Sequence, residues 1–525
     1  MRVTRLRDTH FGSRLFRFLR SRVVIVTVAL LVQLAVLTIG LLVFSQHYVA
    51  FYGVGVLISV ASALYVINCR RNPEFKIAWL VPILLLPYFG GIIYVLFGGS
   101  RFTRKSRRQI EHDEALLRQA FEPEYAAMEQ VTHPFGEAVV GQSRCLLSMG
   151  GYPAFGHTDA KFYPDAERMW LDMLDALERA ERFIFMEYFI IGEGEMWSRL
   201  LDVLERKAAQ GVDVRLMYDD IGCITRLPDT YPRQLREKGI QVCVFNPFMP
   251  VLTSGINNRD HRKICVIDGH TAFTGGTNLA DEYIGRIRRF GYWKDTAISL
   301  HGDAAWGFTV MFLDMWDSMR HCREDWNAFR PEAGSLIDVH GQGLVQPFCT
   351  EPFSAVSIAE TAITGIIRRA TRYVYITTPY LIPTHELMMA LTAAARSGLD
   401  VRIITPNIPD KKTVFAATRA HYMELVEAGV KVYEYSPGFI HAKQIVADDH
   451  CAVVGSVNLD FRSLYLNFEC AAWMVDVACI ADIRADMEEI MRVSERITME
   501  KCRKLEGNVF RRLWRSVLRV FAPLM

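Results

Sequence analysis

The sequence predicts an α/β fold in which N-terminal transmembrane helices precede two similar α/β halves. Hydrophobic residues make up 51% of the 525-residue chain and the mean hydropathy is +0.12, and both values are high for a soluble enzyme. The first hundred residues contain long apolar runs without charge. Beyond residue 135, one pattern of apolar strands and amphipathic helices occurs twice.

The charge and cysteine content exclude several classes of protein. The formal net charge is only +2, so no nucleic-acid-binding surface is predicted. None of the eleven cysteines belongs to a C-x-x-C pair, which argues against a disulfide framework and against a zinc ribbon. Buried free thiols and a reducing compartment are therefore expected.

Three apolar runs predict the membrane anchor. Residues 23–44 contain one strongly polar residue, Gln33, and no charge, and a helix of this length crosses a hydrocarbon core of ~30 Å. Residues 48–68 follow after a very short link and complete a helical hairpin. Residues 77–97 are long enough to span, but proline and glycine residues interrupt them, so this segment either spans or re-enters.

The basic residues next to these runs predict a multi-pass protein of the cell membrane. Residues 1–22 hold seven arginines and one aspartate, which places the N-terminus in the cytoplasm. Five further basic residues lie between positions 101 and 108 and favour the cytoplasmic side for the rest of the chain. A re-entrant 77–97 satisfies both observations and leaves the catalytic region at the cytoplasmic face.

An internal repeat predicts the two α/β halves. Residues 180–191 and 200–220 read as strand, helix, glycine turn and strand, and residues 370–382 and 387–406 repeat that order. Apolar strands separated by helices indicate βαβ units around a buried, mixed sheet. The expected parts of the chain are a basic segment 1–22, an anchor 23–99, a first half 135–335, a second half 336–505 and an amphipathic C-terminal segment 506–525.

Each repeat ends in the same gap-free motif, H-x-K-x4-D-x6-G-x2-N. Two copies in register with an internal repeat are not a coincidence of composition. The motif residues are His261, Lys263, Asp268 and Asn278 in the first half, and His441, Lys443, Asp448 and Asn458 in the second. On a strand, the histidine and lysine of H-x-K lie on one face, so both are expected to point at one site.

The residue types of this motif suit the chemistry of a phosphodiester. One imidazole attacks phosphorus and the other protonates the leaving oxygen, while the lysines and the asparagine amides surround the phosphate oxygens. Because lysine supplies the positive charge that a metal supplies elsewhere, no metal and no cofactor are expected. A carboxylate should hold the far nitrogen of each histidine, and Asp295 and Glu469, in apolar strand-like segments, are the predicted orienting pair. The alternative, above all for Asp295, is a surface charge at a strand edge.

Several other features have plainer interpretations. Asp219 and Asp220 end a predicted strand, where such a pair either binds a metal or, more often, caps the next helix. His270 and His450 recur after the motif aspartates and are expected to be structural. Residues 509–521 form a helix with an apolar face and an arginine face, which either packs on the core or lies at an anionic lipid surface.

The paired motifs resemble those of the phospholipase D superfamily, and the resemblance to its bacterial cardiolipin synthases covers essentially the whole chain. Further stretches that carry it are FNPF at 245–248, NNRDHRK at 257–263, TPYLIPT at 378–384, GSVNLDFRSLYLNFE at 455–469 and RVFAPLM at 519–525, together with the apolar run at 87–98. The third apolar segment departs from the two-segment anchor of many relatives.

The resemblance implies a reaction and a set of roles. Two phosphatidylglycerols would give cardiolipin and glycerol through a phosphatidyl-histidine, beside a bilayer that contains anionic lipids. His261 would be the nucleophile and His441 the acid and base, although the near symmetry of the motifs permits the reverse. Asp268 and Asp448 would secure strand ends or tune the site.

The motifs alone also admit other functions. A hydrolytic phospholipase D uses the same intermediate with water, and another phosphatidyltransferase would use a different alcohol. The near-neutral charge and the anchor argue against a nuclease of the same superfamily. Both motifs are intact, which argues against an inactive scaffold. The sequence leaves the oligomeric state open.

Overall fold

The computed structural model describes residues 48–86, 89–98, 114–248, 258–332, 338–354 and 356–524, together with the isolated positions 31, 32, 35, 38, 39 and 336. Helices and strands are numbered in chain order within these residues.

The described chain begins with three packed helices. They are α1 (Tyr48–Asn68), α2 (Pro73–Leu85) and α3 (Gly90–Phe97). The side chain of Asn72 caps α2 by accepting the N–H of Glu74 at 2.9 Å. At Gly91, an added Cβ would lie 2.6 Å from the Cα of Ser59, so α3 packs on α1 at a distance that only glycine allows.

These helices correspond only in part to the predicted spans. Most of the span 23–44 lies outside the described residues. The second run, 48–68, is helix α1. The run 77–97 is divided between α2 and α3, so it does not form one continuous helix. In the described part of the chain, no helix meets the combined requirements of length and apolar character for a bilayer crossing.

Three more helices lead to the α/β region. They are α4 (Glu114–Ala120), α5 (Glu122–Thr132) and α6 (Glu137–Gly150). Although the expected first half begins at residue 135, α6 packs on the second half. Ser143 donates its hydroxyl to Gln346 at 2.7 Å, and Val139 and Leu146 lie in the apolar core of the second half.

The first half is a seven-stranded mixed sheet in the order β1-β8-β6-β5-β2-β3-β4. Its strands are β1 (Thr158–Tyr163), β2 (Phe183–Tyr188), β3 (Asp213–Asp219), β4 (Gln241–Phe245), β5 (Lys263–Ile267), β6 (Thr271–Gly275) and β8 (Ala297–Gly302), and the short β7 (Tyr292–Lys294) lies outside the sheet. Its helices are α7 (Ala166–Glu178), α8 (Glu195–Ala209), α9 (Asp220–Cys223) and α10 (Tyr231–Glu237), followed by α11 (Ala304–Arg320).

The second half repeats this arrangement in an eight-stranded sheet, β17-β12-β11-β10-β14-β15-β16-β9. Its strands are β9 (Leu344–Thr350), β10 (Tyr373–Thr377), β11 (Asp400–Pro406), β12 (Lys431–Tyr435), β14 (Gln444–Ala447), β15 (Cys451–Gly455), β16 (Glu469–Val475) and β17 (Ser494–Arg496), with β13 (Gly438–Ile440) outside it. Its helices are α12 (Ile358–Arg369), α13 (His385–Arg396), α14 (Lys412–Ala420), α15 (Tyr422–Glu427), α16 (Phe461–Tyr465) and α17 (Ile480–Arg492).

The two sheets match strand for strand, apart from the added β17. Counted from β1, the fourth strand of the first sheet is β5, and counted from β9, the fourth strand of the second sheet is β14. These are the two strands that follow the H-x-K motifs. Each of these strands runs antiparallel to the first strand of its βαβ unit, β2 or β10. The predicted pair of α/β halves with mixed sheets is therefore confirmed.

Helix α11 joins the halves through an apolar core. Its residues from Ala304 to Asp317 are all buried. Phe312 stacks on Phe185 of β2 with ring centroids 4.8 Å apart, and Trp306 and Met311 belong to a cluster that includes Val454 of the second sheet. Burial of one helix between two sheets fixes their relative position, on which a site shared between the halves depends.

The chain ends in α18 (Met499–Glu506) and α19 (Val509–Phe521). Asn508 caps α19 by accepting the N–H of Arg511 at 3.1 Å. The segment after α19 packs on the N-terminal unit, where Ala522 shares an apolar cluster with Phe75 of α2 and Phe461 of α16. The C-terminal segment therefore meets helix α2 beside the second half.

Candidate active site

The two motif histidines lie in short extended segments that each pair with the opposite half. The backbone N–H of His441 donates to the carbonyl of Lys294 at 2.7 Å, and that of His261 donates to the carbonyl of Phe468 at 2.9 Å. The first contact continues the parallel pairing of β13 with β7, and the second accompanies a parallel bridge between Asp260 and Phe468. The histidines therefore precede the sheet strands, whereas the sequence places them on those strands.

A carboxylate holds each histidine ring, and it belongs to the residue that directly follows the one whose carbonyl accepts the histidine N–H. Asp295 Oδ2 lies 2.7 Å from His441 Nδ1, and Glu469 Oε2 lies 2.8 Å from His261 Nδ1. Both predicted orienting carboxylates therefore contact a motif histidine. Each carboxylate comes from the opposite half, since Asp295 belongs to the first half and Glu469 to the second. Because Nδ1 is engaged in both rings, Nε2 is the nitrogen left for chemistry.

The two lysines complete a compact cationic site. Lys263 Nζ donates to the carbonyl of its own motif histidine, His261, at 2.5 Å, and Lys443 Nζ bonds the carbonyl of His441 in the same way. Both lysines are buried, with exposed fractions of 1% and 3%. Two buried ammonium groups beside two imidazoles form a site complementary to an anion.

Burial and mutual repulsion shift the pKa values in this site. Burial lowers the pKa of Lys263 to about 8 and that of Lys443 to about 7. Burial and the neighbouring Lys443 lower the pKa of His441 to about 4, and burial with both lysines holds the pKa of His261 well below its usual value. The site therefore disfavours its own positive charges, and a bound phosphate offsets that cost.

The motif asparagines are buried beside the site and hold loops together. Asn278 donates its amide to the hydroxyl of Tyr283 at 2.6 Å and accepts the N–H of Ile190 at 3.0 Å. Asn458 donates to the hydroxyl of Ser463 at 3.0 Å. In both halves the asparagine bonds the side chain five residues further on, which aligns Tyr283 with Ser463.

The motif aspartates secure the backbone and do not contact the histidines. The carboxylate of Asp268 accepts the backbone N–H groups of residues 181, 182 and 183, each at 2.8 Å. Asp448 accepts those of residues 371, 372 and 373 at 2.6 to 2.8 Å. Both bind the start of the first βαβ strand to the turn after the H-x-K strand, which is structural support for the site.

Aromatic rings enclose the histidines, and sequence reasoning did not single them out. His441 packs against Tyr283, Trp293 and Phe439, with ring centroids 5.8, 5.5 and 5.8 Å away. His261 packs against Phe189 at 4.9 Å. Phe439 lies two residues before His441 and therefore shares a face of the extended segment with it, whereas no local signal marks Tyr283 or Trp293.

The plainer interpretations of the remaining polar groups agree with their contacts. Asp219 caps α9 by accepting the N–H of Gly222 at 3.1 Å, and it also accepts the N–H of Asp260. His450 pairs with Asp476 at 2.7 Å at an exposed turn, and His270 bonds Thr271.

The chain is similar to known proteins over most of its length. A family model described as "Cardiolipin synthase, PLD-like domain" matches residues 173–288 and 363–491, and one described as "Phospholipase_D-nuclease N-terminal" matches residues 57–99. A cardiolipin synthase of Geobacillus thermodenitrificans is 34% identical over 509 residues, which cover 94% of this chain and 99% of that protein. The chain belongs to the cardiolipin synthase family.

Other similar proteins include further cardiolipin synthases. Cardiolipin synthase 2 of Bacillus anthracis is 32% identical over 87% of this chain and 88% of its own length. An uncharacterized protein of Streptococcus mutans is 39% identical over 89% of this chain and the whole of that protein. Among solved structures, the phosphatidylserine synthase of Haemophilus influenzae aligns over 73% of this chain and all of its own with a TM-score of 0.54 at 14% identity, which shows a shared fold.

Proposed function

We propose that this member of the cardiolipin synthase family transfers a phosphatidyl group from one phosphatidylglycerol to another, giving cardiolipin and glycerol. One observation carries the proposal. Each imidazole is held at Nδ1 by a carboxylate of the opposite half, and both lysines are buried beside the pair. Two oriented imidazoles around a cationic pocket provide a nucleophile and an acid–base group for one phosphodiester.

In the first step, His261 is the nucleophile. Its Nε2 forms a bond to phosphorus while the bond between phosphorus and the glycerol oxygen breaks, and the proton on His441 passes to that oxygen. Glu469 stabilises the positive charge that develops on the His261 ring. The negative charge of the bound phosphodiester raises the pKa of His441, which favours the protonated form that this step requires.

In the second step, a hydroxyl of another phosphatidylglycerol replaces glycerol. Its proton passes to His441, its oxygen bonds phosphorus, and the bond from phosphorus to His261 breaks. Lys263 and Lys443 stabilise the charge on the phosphate oxygens in both transition states. Asn278 and Asn458 position the surrounding loops, and Asp268 and Asp448 fix the strands that carry the site.

A reconstituted reaction tests the proposal. Purified full-length protein in detergent micelles receives phosphatidylglycerol as the only lipid, with excess chelator present. We expect cardiolipin and glycerol to appear in equal amounts, and His261→Ala to abolish both. Phosphatidic acid without cardiolipin would instead identify a hydrolytic phospholipase D. Activity that disappears in chelator and returns with one specific divalent ion would overturn the role given to the lysines.

We also propose that the enzyme works at a membrane that contains anionic lipids, with 23–44 and 48–68 as a spanning hairpin and 77–97 as a re-entrant segment. The break between α2 and α3 supports re-entry over spanning. Exposed apolar side chains on α1, such as Leu57 at 71% and Leu64 at 57%, support burial of that helix in lipid. The basic residues before and after the anchor support a catalytic region at the cytoplasmic face.

Helix α19 supplies a second contact with the lipid surface in this proposal. Val509, Phe510, Leu513 and Trp514 are 55% to 80% exposed, so the apolar face of the helix is not used in packing. Arginines lie on its other face, which is the pattern of a helix in the plane of an anionic interface. Its contact with α2 through the segment at Ala522 places it beside the proposed anchor.

A further inference from the structure

The first half carries a longer segment between its motif asparagine and its orienting carboxylate. Asn278 and Asp295 are 17 positions apart, whereas Asn458 and Glu469 are 11 positions apart. The second half crosses this distance with helix α16, and the first half uses six more residues. Residues 284–291, which directly precede β7, are called the insertion loop below. The near symmetry of the two halves is therefore broken at this loop.

The insertion loop is fixed at both ends. Near its start, the guanidinium of Arg286 pairs with Glu195 and with Glu167, each at 2.8 Å. Directly after the loop, the backbone N–H of Tyr292 donates to the carbonyl of Pro437 at 3.2 Å, where β7 begins to pair with β13. The loop therefore has a defined position on the protein surface.

The residues between these fixed points expose both apolar and basic side chains. Ile287 is 51% exposed, and Tyr292 at the end of the loop is 39% exposed. Arg288 and Arg289 are also exposed, and among the described residues neither forms an ion pair. The guanidinium of Arg289 lies 5.1 Å from the ring centroid of Phe290. Unpaired arginines beside exposed apolar side chains are complementary to the surface of an anionic bilayer.

The insertion loop adjoins the catalytic site through aromatic contacts. The ring centroid of Phe290 lies 6.4 Å from that of Trp293 and 6.4 Å from that of Phe439. Both of these rings pack on His441, at 5.5 and 5.8 Å. One layer of side chains therefore separates Phe290 from a catalytic imidazole.

The second half contacts the N-terminal helices at the corresponding place in its own motif. Helix α16 follows the motif asparagine of that half, and the ring of Phe75 of α2 packs on Phe461 and Tyr465 of α16 at 5.7 and 5.8 Å. Asn72 donates its amide to the hydroxyl of Tyr465 at 3.2 Å. The proposed anchor thus adjoins the second half and the insertion loop belongs to the first, so a lipid surface that meets both would contact the enzyme on either side of the site.

We propose that the insertion loop and Tyr292 form a docking surface for anionic lipid that holds the active site against the bilayer. Ile287 and Tyr292 enter the interfacial layer, and Arg288 and Arg289 bind lipid phosphates. Because both substrates of the proposed reaction are membrane lipids, contact beside His441 brings their head groups to the reacting imidazoles. The surface rests on the membrane location proposed above and adds to it a contact made by the catalytic part of the chain.

Quenching of tryptophan fluorescence tests the contact directly. Full-length Ile287→Trp is reconstituted in vesicles of brominated phosphatidylcholine with or without phosphatidylglycerol, because bromine on acyl chains quenches tryptophans that lie in the bilayer. We expect more quenching than in the wild type when phosphatidylglycerol is present, and less when Arg288→Gln and Arg289→Gln are added. The control is Arg179→Trp, since the exposed Arg179 lines a cavity with Asp268, at the end of β5 remote from the H-x-K motif.

Reaction rates test whether the contact serves the lipid substrates. Arg288→Gln and Arg289→Gln should each lower, by about 5-fold, the ratio of cardiolipin formation at low phosphatidylglycerol content to turnover of a soluble nitrophenyl phosphodiester. This loss corresponds to about 1 kcal/mol for each arginine near an anionic surface. Lysine at either position should keep the ratio, because attraction to the surface requires only the charge. Arg179→Gln removes an exposed arginine at the control position and should leave the ratio unchanged.

The possible failures are distinguishable. Equal quenching in Ile287→Trp and Arg179→Trp, or a ratio unchanged in both Arg288→Gln and Arg289→Gln, would overturn the docking surface while the proposed function stands. A changed oligomeric state of Ile287→Glu in detergent, without added quenching of Ile287→Trp in vesicles, would instead identify a contact between copies of the chain. Wild-type enzyme that makes no cardiolipin, with Ile287→Trp still quenched, would overturn the proposed function and leave the docking surface in place.

Discussion

Asp295 of the first half holds the ring of His441 of the second half, with Oδ2 2.7 Å from Nδ1. The residue before it, Lys294, accepts the backbone N–H of the same histidine. Glu469 and Phe468 do the same for His261. Each histidine is therefore fixed at its backbone and at its ring by the other half, and neither half contains a complete site.

This crossed arrangement predicts how double variants behave. Glu469→Gln and Asp295→Asn should each lower turnover, at most by the roughly 10²- to 10⁴-fold that loss of the acid–base group itself costs. Because Glu469 acts through His261, adding Glu469→Gln to His261→Ala should cost nothing further, whereas adding it to His441→Ala should lower the residual rate again. The rate compared is the single-turnover release of nitrophenolate from a nitrophenyl phosphodiester, because the His441→Ala protein is expected to stop at the covalent intermediate, and release in the His261→Ala protein gives the background level.

The opposite pattern would contradict the crossed pairing. If Glu469→Gln had no effect in the His441→Ala background but a full effect in the His261→Ala background, Glu469 would serve the histidine of its own half. Circular dichroism of each variant shows whether the loss of one buried carboxylate has unfolded the protein instead.

The lowered lysine pKa values predict a basic limb in the pH profile. The pKa of Lys443 is about 7 and that of Lys263 about 8, so the substrate-free enzyme loses positive charge as the pH rises through 7 to 8. The ratio kcat/KM reports the free enzyme and should fall across that range. A bound phosphate favours the charged lysines, so the corresponding limb of kcat should lie at higher pH.

Rates measured in detergent micelles from about pH 5.5 to about pH 9.5 define the basic limbs of kcat/KM and of kcat. This range extends beyond both lysine pKa values by more than the usual scatter of about one unit. Binding of the enzyme to the same micelles at each pH is the control for surface effects. A kcat/KM that rises steadily to pH 9 would contradict the requirement for charged lysines.

The exposed apolar face of α19 predicts a selective defect at lipid surfaces. Phe510 and Trp514 are 80% and 55% exposed, and a glutamate at either position should lower turnover on anionic vesicles while turnover of a soluble phosphodiester is kept. Leu171 of α7 offers a matched control, because it is 43% exposed on the first half. Leu171→Glu should change neither rate, and equal rates for all three variants on vesicles would contradict the role of α19.

Much of the fold follows from local patterns. Hydrophobic periodicity predicts the duplication and the strand order within each βαβ unit, and a spacing that is repeated without gaps identifies the motif residues. Asp295 and Glu469 also follow from chemistry, because a catalytic imidazole needs a partner at its far nitrogen. The sequence does not indicate which carboxylate serves which histidine, since 146 and 208 residues separate the bonded pairs.

The other differences between the predicted and the observed structure also arise from contacts between parts of the chain that are distant in sequence. Periodicity shows that α6 has an apolar face but not which half covers it, and the structure uses it to cover the second half. The H-x-K pattern indicates an extended segment, yet its partner is a strand of the other half and not the adjacent sheet. Trp293 reaches His441 only through that pairing, so no local signal identifies it, whereas Phe439 lies two residues before His441 and shares its face of the extended segment.

The final prediction separates the two histidines. If His261 is the nucleophile, His261→Ala cannot form a covalent intermediate with any substrate. His441→Ala keeps the nucleophile, which Glu469 still holds at Nδ1, but lacks the acid that protonates the leaving oxygen. An activated leaving group such as nitrophenolate needs no such proton, so this variant should be phosphorylated and then trapped, because no base remains to activate the acceptor.

Mass spectrometry of peptides that span 259–263 and 441–443 locates the adduct. We expect the mass of the phosphoryl group on His261 in the His441→Ala protein and no label in the His261→Ala protein. An adduct on His441 in the His261→Ala protein alone would reverse the two roles and leave the crossed carboxylates in place, with Asp295 serving the nucleophile. Turnover in the wild type with no adduct in any variant would favour direct displacement, in which the oxygen of the acceptor attacks phosphorus while glycerol departs.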